Sequence, residues 1–129
     1  MAHYSQLVMP DHINNVGTLF GGQMVSWMDI AAAKTVFRFL KGTRAWGAVT
    51  RAIDKVEFRE PVYAGEWVNF VGEVVATGTT SITVKVDAHV EGRDESSMRL
   101  ACSATITMVA VIKDKKGNFI KFAHGKQVD

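Results

Sequence analysis

Residues 21 to 40 read as one helix with almost no polar side. Met24, Val25, Trp27, Met28, Ile30, Ala31 to Ala33, Val36, Phe37, Phe39 and Leu40 leave room only for a narrow basic strip of Lys34, Arg38 and Lys41. Such a helix would be about 30 Å long, and so apolar a surface is expected to be buried within the protein rather than laid on its outside. The basic strip lies at the C-terminal end, where the helix dipole favours cations, and Gly42 follows as the expected cap. Whatever the rest of the chain forms must therefore wrap this helix.

The rest reads as strand. From Ile82 to Val90 every even position is apolar (Ile82, Val84, Val86, Ala88, Val90), and Thr83, Lys85, Asp87 and His89 alternate with them. That period of two marks strands with one face to a core and one to water. Val68, Phe70, Gly72, Val74 and Ala76 repeat it, as do Leu100, Cys102, Ala104, Ile106, Met108, Ala110 and Ile112. A less regular strand is expected over 44–58, ending before the turn signal at Pro61 to Gly65. The links between strands are short and contain glycine (Gly65, Gly78 to Ser81, Gly92 to Asp94), which requires antiparallel neighbours. The tail from Lys113 is charged and is expected to be loosely ordered, with a turn at Asp114 to Gly117. One long helix and four or five antiparallel strands make an α+β class, with the sheet wrapped around the helix and an apolar face left over for a second copy.

With 129 residues, the chain is long enough for one sizeable core and too short for two ordinary domains, so residues 1–129 are read as a single domain. The net charge of +2 gives no reason to expect nucleic-acid binding. Cys102 is the only cysteine, which rules out an intramolecular disulfide and argues against a cysteine-based metal site. The histidines (His3, His12, His89, His124) show no zinc spacing, so no metal is expected. No signal peptide and no apolar run of membrane-spanning length is read, and the cytoplasm is the expected compartment.

Chemistry points to the stretch from Met9 to Ala33. Asp29 stands in an apolar helix, where a carboxylate is costly unless paired or used. Its neighbours one turn away are Val25, Ser26, Ala32 and Ala33, none of them a cation. Lys34 is roughly 140° around the helix and Arg38 roughly 180°. Gly22, Ser26 and Ala33 leave space beside it. A general base or nucleophile in a cleft and a structural carboxylate paired from another element both fit these features. The Gly21-Gly22 pair opens the helix, and amides there lack intrahelical acceptors, so they suit an oxyanion or simply permit a tight turn. Asn14 can cap, support a left-handed turn, or hold a water or carbonyl by its amide, and taken alone it reads as a cap. His12, alone on its loop, reads as structural.

The order of these residues adds to their separate meanings. The motif N-x-x-G-x-x-F-G-G-x-x-x-x-x-x-D, carried by Asn14, Gly17, Phe20, Gly21, Gly22 and Asp29, resembles that of hotdog-fold acyl-CoA thioester hydrolases. Val49 to Asp54, Phe58, Pro61, Gly65 and Gly78 to Ser81 continue the likeness, over about residues 6 to 112. The resemblance implies a central helix wrapped by an antiparallel sheet, dimers that often assemble as trimers of dimers, and active sites at the subunit interface. It makes Asp29 the catalytic carboxylate, Asn14 the loop amide from the other protomer, and Gly21-Gly22 the turn that polarises the thioester carbonyl. Gly78, Thr80 and Ser81 fall near the coenzyme A path. Relatives often read F-x-K-P where this chain has Phe58-Arg-Glu-Pro61, so Arg59 becomes the expected phosphate contact.

The expected reaction is hydrolysis of acyl-CoA to a free acid and coenzyme A, with no cofactor beyond the coenzyme A of the substrate itself. Base and nucleophile roles for Asp29 both stay open. A hotdog dehydratase would need a His-Phe-Pro strand end, which is missing. A phenylacetate-pathway-type hotdog thioesterase would normally read His-Gly-Gly where this chain has Phe20-Gly21-Gly22. The non-enzymatic alternative is an acyl-CoA-binding sensor.

Overall fold

The computed structural model describes residues 1–94, 96 and 98–128. Its strands are β1 (Ala2–Leu7), β2 (Gly47–Phe58), β3 (Trp67–Thr77), β4 (Ser81–Glu91), β5 (Arg99–Lys113) and β6 (Phe119–Lys121), and a short 3-10 helix (Pro10–His12) precedes its α-helix, α1 (Gly21–Phe39). The strands form one antiparallel sheet in the order β1-β3-β4-β5-β2, with β6 pairing to β5. The sheet wraps α1, the layout implied by the sequence resemblance.

The alternation in β4 translates directly into burial. Ile82, Val84, Val86, Ala88 and Val90 are wholly enclosed, and the residues between them are half-buried or exposed. Phe70 and Val68 of β3 and Ala104, Ile106 and Met108 of β5 complete the layer that receives Met24, Trp27, Met28, Ala31 and Val36 of α1. At Gly72 of β3 the helix comes closest: a side chain there would run into Thr35, whose hydroxyl donates to the Ala31 carbonyl at 2.8 Å. Cys102 lies in the same layer, 0% exposed, with its thiol 3.6 Å from the Met28 sulfur.

One expectation is met and two are corrected. First, α1 keeps one apolar side uncovered by its own sheet, in line with the apolar face expected to be left over. A single sheet can cover only one side of a helix, and Ile30 and Phe37 on the other side remain 46% and 68% exposed. Second, an additional strand, β1, pairs along β3 from Ala2↔Gly72 to Leu7↔Trp67. Third, the tail is ordered. The Asp114 carboxylate accepts the amides of Lys116 and Asn118, Gly117 takes a left-handed φ of 82°, and the hairpin returns as β6. Beyond it His124 is buried against the β3–β4 turn, its backbone amide donating to Thr79 O at 3.2 Å and its Nε2 lying 3.0 Å from Ser81 O. The last residue of the expected tail, Asp129, is outside the described residues.

The helix stops one residue short of its expected end, with Leu40 as its cap, and Gly42 follows in a left-handed turn at φ 87°. β2 starts at Gly47 rather than residue 44. It is irregular, with register shifts at Thr50/Ala52 and Asp54/Glu57, and it forms one open edge of the sheet.

Candidate active site

Asp29 faces β2. Its Oδ1 accepts a hydrogen bond from the Thr50 hydroxyl at 2.6 Å, a short charge-assisted contact. No ion pair involves it among the described residues, and the donor that orients it is a neutral hydroxyl. It is half-buried rather than sunk, because it borders the uncovered side of the helix. The small residues Gly22, Ser26 and Ala33 are all exposed beside it, which leaves the approach open. One turn further on begins a groove of about 610 Å³, lined by Ile30, Ala33, Phe37, Trp46 and Met108 among others.

The helix start forms a second cluster. Phe20 is the N-cap and contributes no side-chain hydrogen bond, while Gln23 N and Met24 N both donate to Phe20 O. The amides of Gly21 and Gly22 have no acceptor among the described residues, so two adjacent N–H groups are available to an incoming oxygen. Glycine keeps them accessible. A Cβ on Gly22 would lie 2.9 Å from the Phe20 ring, and one on Gly21 would lie 3.5 Å from that of Phe58. Phe58 and Arg59 border a cavity of about 260 Å³ together with Thr18, Leu19 and Met24. Arg59 is exposed and ion-paired to Glu57 at 3.0 Å, leaving much of its guanidinium in water.

Asn14 shapes the loop that leads into this turn. Its Oδ1 accepts the amides of Val16 (3.1 Å) and Thr18 (3.0 Å), and its Nδ2 donates to the Thr18 hydroxyl (3.0 Å). Gly17 takes a φ of 93° to close the loop. His12 is structural: its Nδ1 accepts the Met9 amide, and its ring meets Trp27 edge-on at 4.9 Å. Gly78, Thr80 and Ser81 form the β3–β4 turn, where Gly78 N donates to Ser81 O and Ala110 N to Thr80 O. Ser81 pairs with Val109, and Val109 with Val49, so this turn is two strands across the sheet from β2, close to the level of Thr50.

One chain thus holds two separated clusters of candidate residues. Asp29 comes seven residues after Gly22, about 10 Å along the helix axis, and the first-turn amides point away from it, off the helix end. An oxygen held by those amides would be about 3 Å further out again. A carbonyl and one water cannot bridge such a gap. Of the expected residues, the structure gathers Gly21, Gly22 and Arg59 at the helix start and leaves Asp29 on its own side. Asn14 touches neither the carboxylate nor the free amides; it braces their loop.

Thr50 is the functional candidate that the residue-by-residue reading did not single out, because its role depends on where β2 crosses α1. Cys102 is unsuited to covalent work. Burial pushes its thiol up to about 11, despite the opposing effects of the Ser103 backbone amide and the Arg59 charge, so it stays protonated at neutral pH.

The sequence pattern of the Thioesterase superfamily matches residues 16–97. A hexameric hotdog fold thioesterase of Campylobacter jejuni is 33% identical, with a TM-score of 0.77 over 92% of this chain and 87% of that one. The acyl-CoA hydrolase of Staphylococcus aureus, in complex with butyryl coenzyme A, coenzyme A and coenzyme A disulfide, is 28% identical, with a TM-score of 0.76 over 93% of this chain and 70% of that one. An uncharacterized acyl-CoA thioester hydrolase of Zymomonas mobilis is 29% identical over 110 residues, 85% of this chain and 71% of its own length.

Proposed function

The chain belongs to the thioesterase superfamily, and we propose that it hydrolyses acyl-CoA to the free acid and coenzyme A at sites assembled from two copies. The observation that carries this reading is Asp29: a carboxylate with no ion pair among the described residues, oriented by the Thr50 hydroxyl at 2.6 Å, and directly preceding Ile30, which lines a largely apolar groove. A metal-free mechanism suffices, because a thioester is already an activated acyl group.

Two copies reconcile the separated clusters. β2 is an open edge of twelve residues, and the apolar side chains of Ile30 and Phe37 flank it on the helix. Two-fold antiparallel pairing of one β2 with another would close both edges. It would also bring the Phe58 end of one copy beside the Gly47 end of its partner. The free amides of Gly21 and Gly22 then approach the groove beside the other copy's Asp29. Three such dimers would make the hexamer seen in the relative from Campylobacter jejuni.

In the reaction the thioester oxygen is held by the helix-start amides, and the acyl chain follows the groove past Ile30 and Phe37. An oxyanion donor of this kind is worth about 3 kcal/mol. Asp29 takes a proton from water, the new C–O bond forms, and collapse of the tetrahedral intermediate breaks the C–S bond. The departing sulfur then collects a proton. In the rival route the carboxylate itself attacks the carbonyl and expels the coenzyme A thiolate, which takes up a proton, and water opens the resulting anhydride. Asn14 keeps the helix-start loop in shape, and Arg59, Gly78, Thr80 and Ser81 are the contacts offered to the nucleotide end.

Purified protein is expected to release free thiol from acyl-CoA, and Asp29→Asn to abolish release while retaining fold and assembly. Full activity in that variant removes Asp29 from the mechanism. Tight acyl-CoA binding by the wild type without thiol release would favour the sensor reading. Mixed oligomers of Asn14→Ala and Asp29→Ala subunits are expected to regain part of the lost activity. A single turnover in ¹⁸O water tests the nucleophilic route: label in the Asp29 carboxylate requires an anhydride opened by water at the Asp29 carbon, whereas label in the product acid alone fits either the base route or an anhydride opened at the acyl carbon.

A further inference from the structure

We infer that Arg99, at the start of β5, is a positioning residue that aims the helix-start amides from behind. This rests on the thioesterase reading above. Phe20 caps α1 without a side-chain hydrogen bond, so the helix start depends on its backbone tethers. Two tethers precede Gly21: Leu19 N donates to Val62 O at 2.7 Å, and Phe20 N donates to His12 O at 2.9 Å. The first of these hangs on the loop between β2 and β3, and Arg99 clamps that loop.

The clamp has several jaws. Arg99 Nη2 donates to both Glu66 carboxylate oxygens at 3.0 Å and to Pro61 O at 3.3 Å, and Nε approaches Glu60 Oε2 at 3.1 Å. Glu66 is thereby fixed at both ends. Its Oε1 also accepts the Tyr63 amide at 2.7 Å, and its backbone carbonyl accepts the Val8 amide at 2.9 Å. Gly65 N returns a bond to Val8 O at 2.8 Å, so the chain leaving β1 toward the helix is tied to the same loop. Val62, between the two acids, is buried in the core and also lines the cavity under the helix start. Only a planar guanidinium can reach two carboxylates and a carbonyl at once, and lysine offers a single point charge instead. The Arg99 and Glu66 side chains are 24% and 13% exposed, so water competes for these bonds less than at the surface.

A displacement of the amides by about 1 Å is enough to cost a large factor in rate, because the oxyanion must meet both donors. The test uses the full-length protein with Arg99→Lys and Arg99→Met, assayed for thiol release together with amide hydrogen exchange. We expect kcat to fall about tenfold in Arg99→Met and by less in Arg99→Lys, with KM within twofold of wild type. Exchange over residues 14–24 is expected to speed up about tenfold while residues 82–90 keep their protection. Wild-type kcat with unchanged exchange over 14–24 overturns the inference. So does a loss of protection shared equally by 82–90, which would make Arg99 a general stabiliser. If the wild type releases no thiol, the thioesterase reading falls, and exchange over 14–24 alone decides the role of Arg99.

Discussion

Replacing Thr50 by valine removes one hydroxyl and little else. Valine keeps the branched shape that suits β2, so the strand should be retained. What disappears is the 2.6 Å hydrogen bond to Asp29, the only contact that orients the carboxylate among the described residues. A hydrogen bond to a charged group contributes about 1.5–3 kcal/mol. Asp29 is half-buried, and water can take over part of the lost bond, so the lower end applies. About 1.5 kcal/mol in the transition state corresponds to roughly a tenfold drop in kcat. The assay is initial-rate thiol release at saturating acyl-CoA, with thermal unfolding followed in parallel to confirm an intact fold. Thr50→Ser returns the hydroxyl and is expected to recover most of the rate. A Thr50→Val enzyme within twofold of wild type would refute the orienting role.

Other consequences are open to measurement. Gly72→Ala forces a methyl group into Thr35 at the helix–sheet contact and is expected to destabilise by about 2 kcal/mol, read as a lower urea midpoint; an unchanged midpoint would mean the helix is free to move away. His124→Ala removes the ring contact to Ser81 O and leaves the tail tied to the β3–β4 turn only by its backbone amide, so KM for acyl-CoA is expected to rise severalfold with kcat preserved, and an unchanged KM would detach that ring contact from substrate binding. The buried Cys102 thiol keeps its proton up to about 11, whereas in the unfolded chain it ionises near its ordinary value of 9. The unfolded state therefore binds fewer protons in that window, and stability drains away from about pH 9 upward, by at most about 1.4 kcal/mol per pH unit. Cys102→Ala is expected to flatten this part of the profile, and identical slopes in both proteins would show that the thiol is not responsible.

How far the fold was legible depended on which residues carried a period. β4 announced itself because its inward positions are all apolar and its outward ones are not. β1 went unread since Ala2, Tyr4 and Gln6 make a weak inner face; pairing with β3 forms the strand, and no pattern of its own does. β6 was hidden in a charged tail for a related reason, as Phe119, Ile120 and Lys121 are all exposed and their order comes from the Asp114 turn. In the site, the lack of a salt-bridge partner for Asp29 on its own helix followed from helix geometry alone, and among the described residues no ion pair reaches it. Thr50 could not be found that way. It stands twenty-one residues from Asp29, and only the bulged course of β2 across α1 brings them together. The exposure of Asp29 was likewise out of reach, because an apolar helix does not reveal which side its own sheet leaves bare.

The isolated sulfur of Cys102, enclosed between β5 and Met28, has a practical outcome. A colorimetric thiol reagent added to this protein finds no accessible group in the native state, so colour that develops with acyl-CoA reports product and not enzyme. The same sulfur becomes reactive only when the layer around it parts. Slow labelling in the absence of substrate would therefore clock the spontaneous breathing of the core, with a single native atom as the probe.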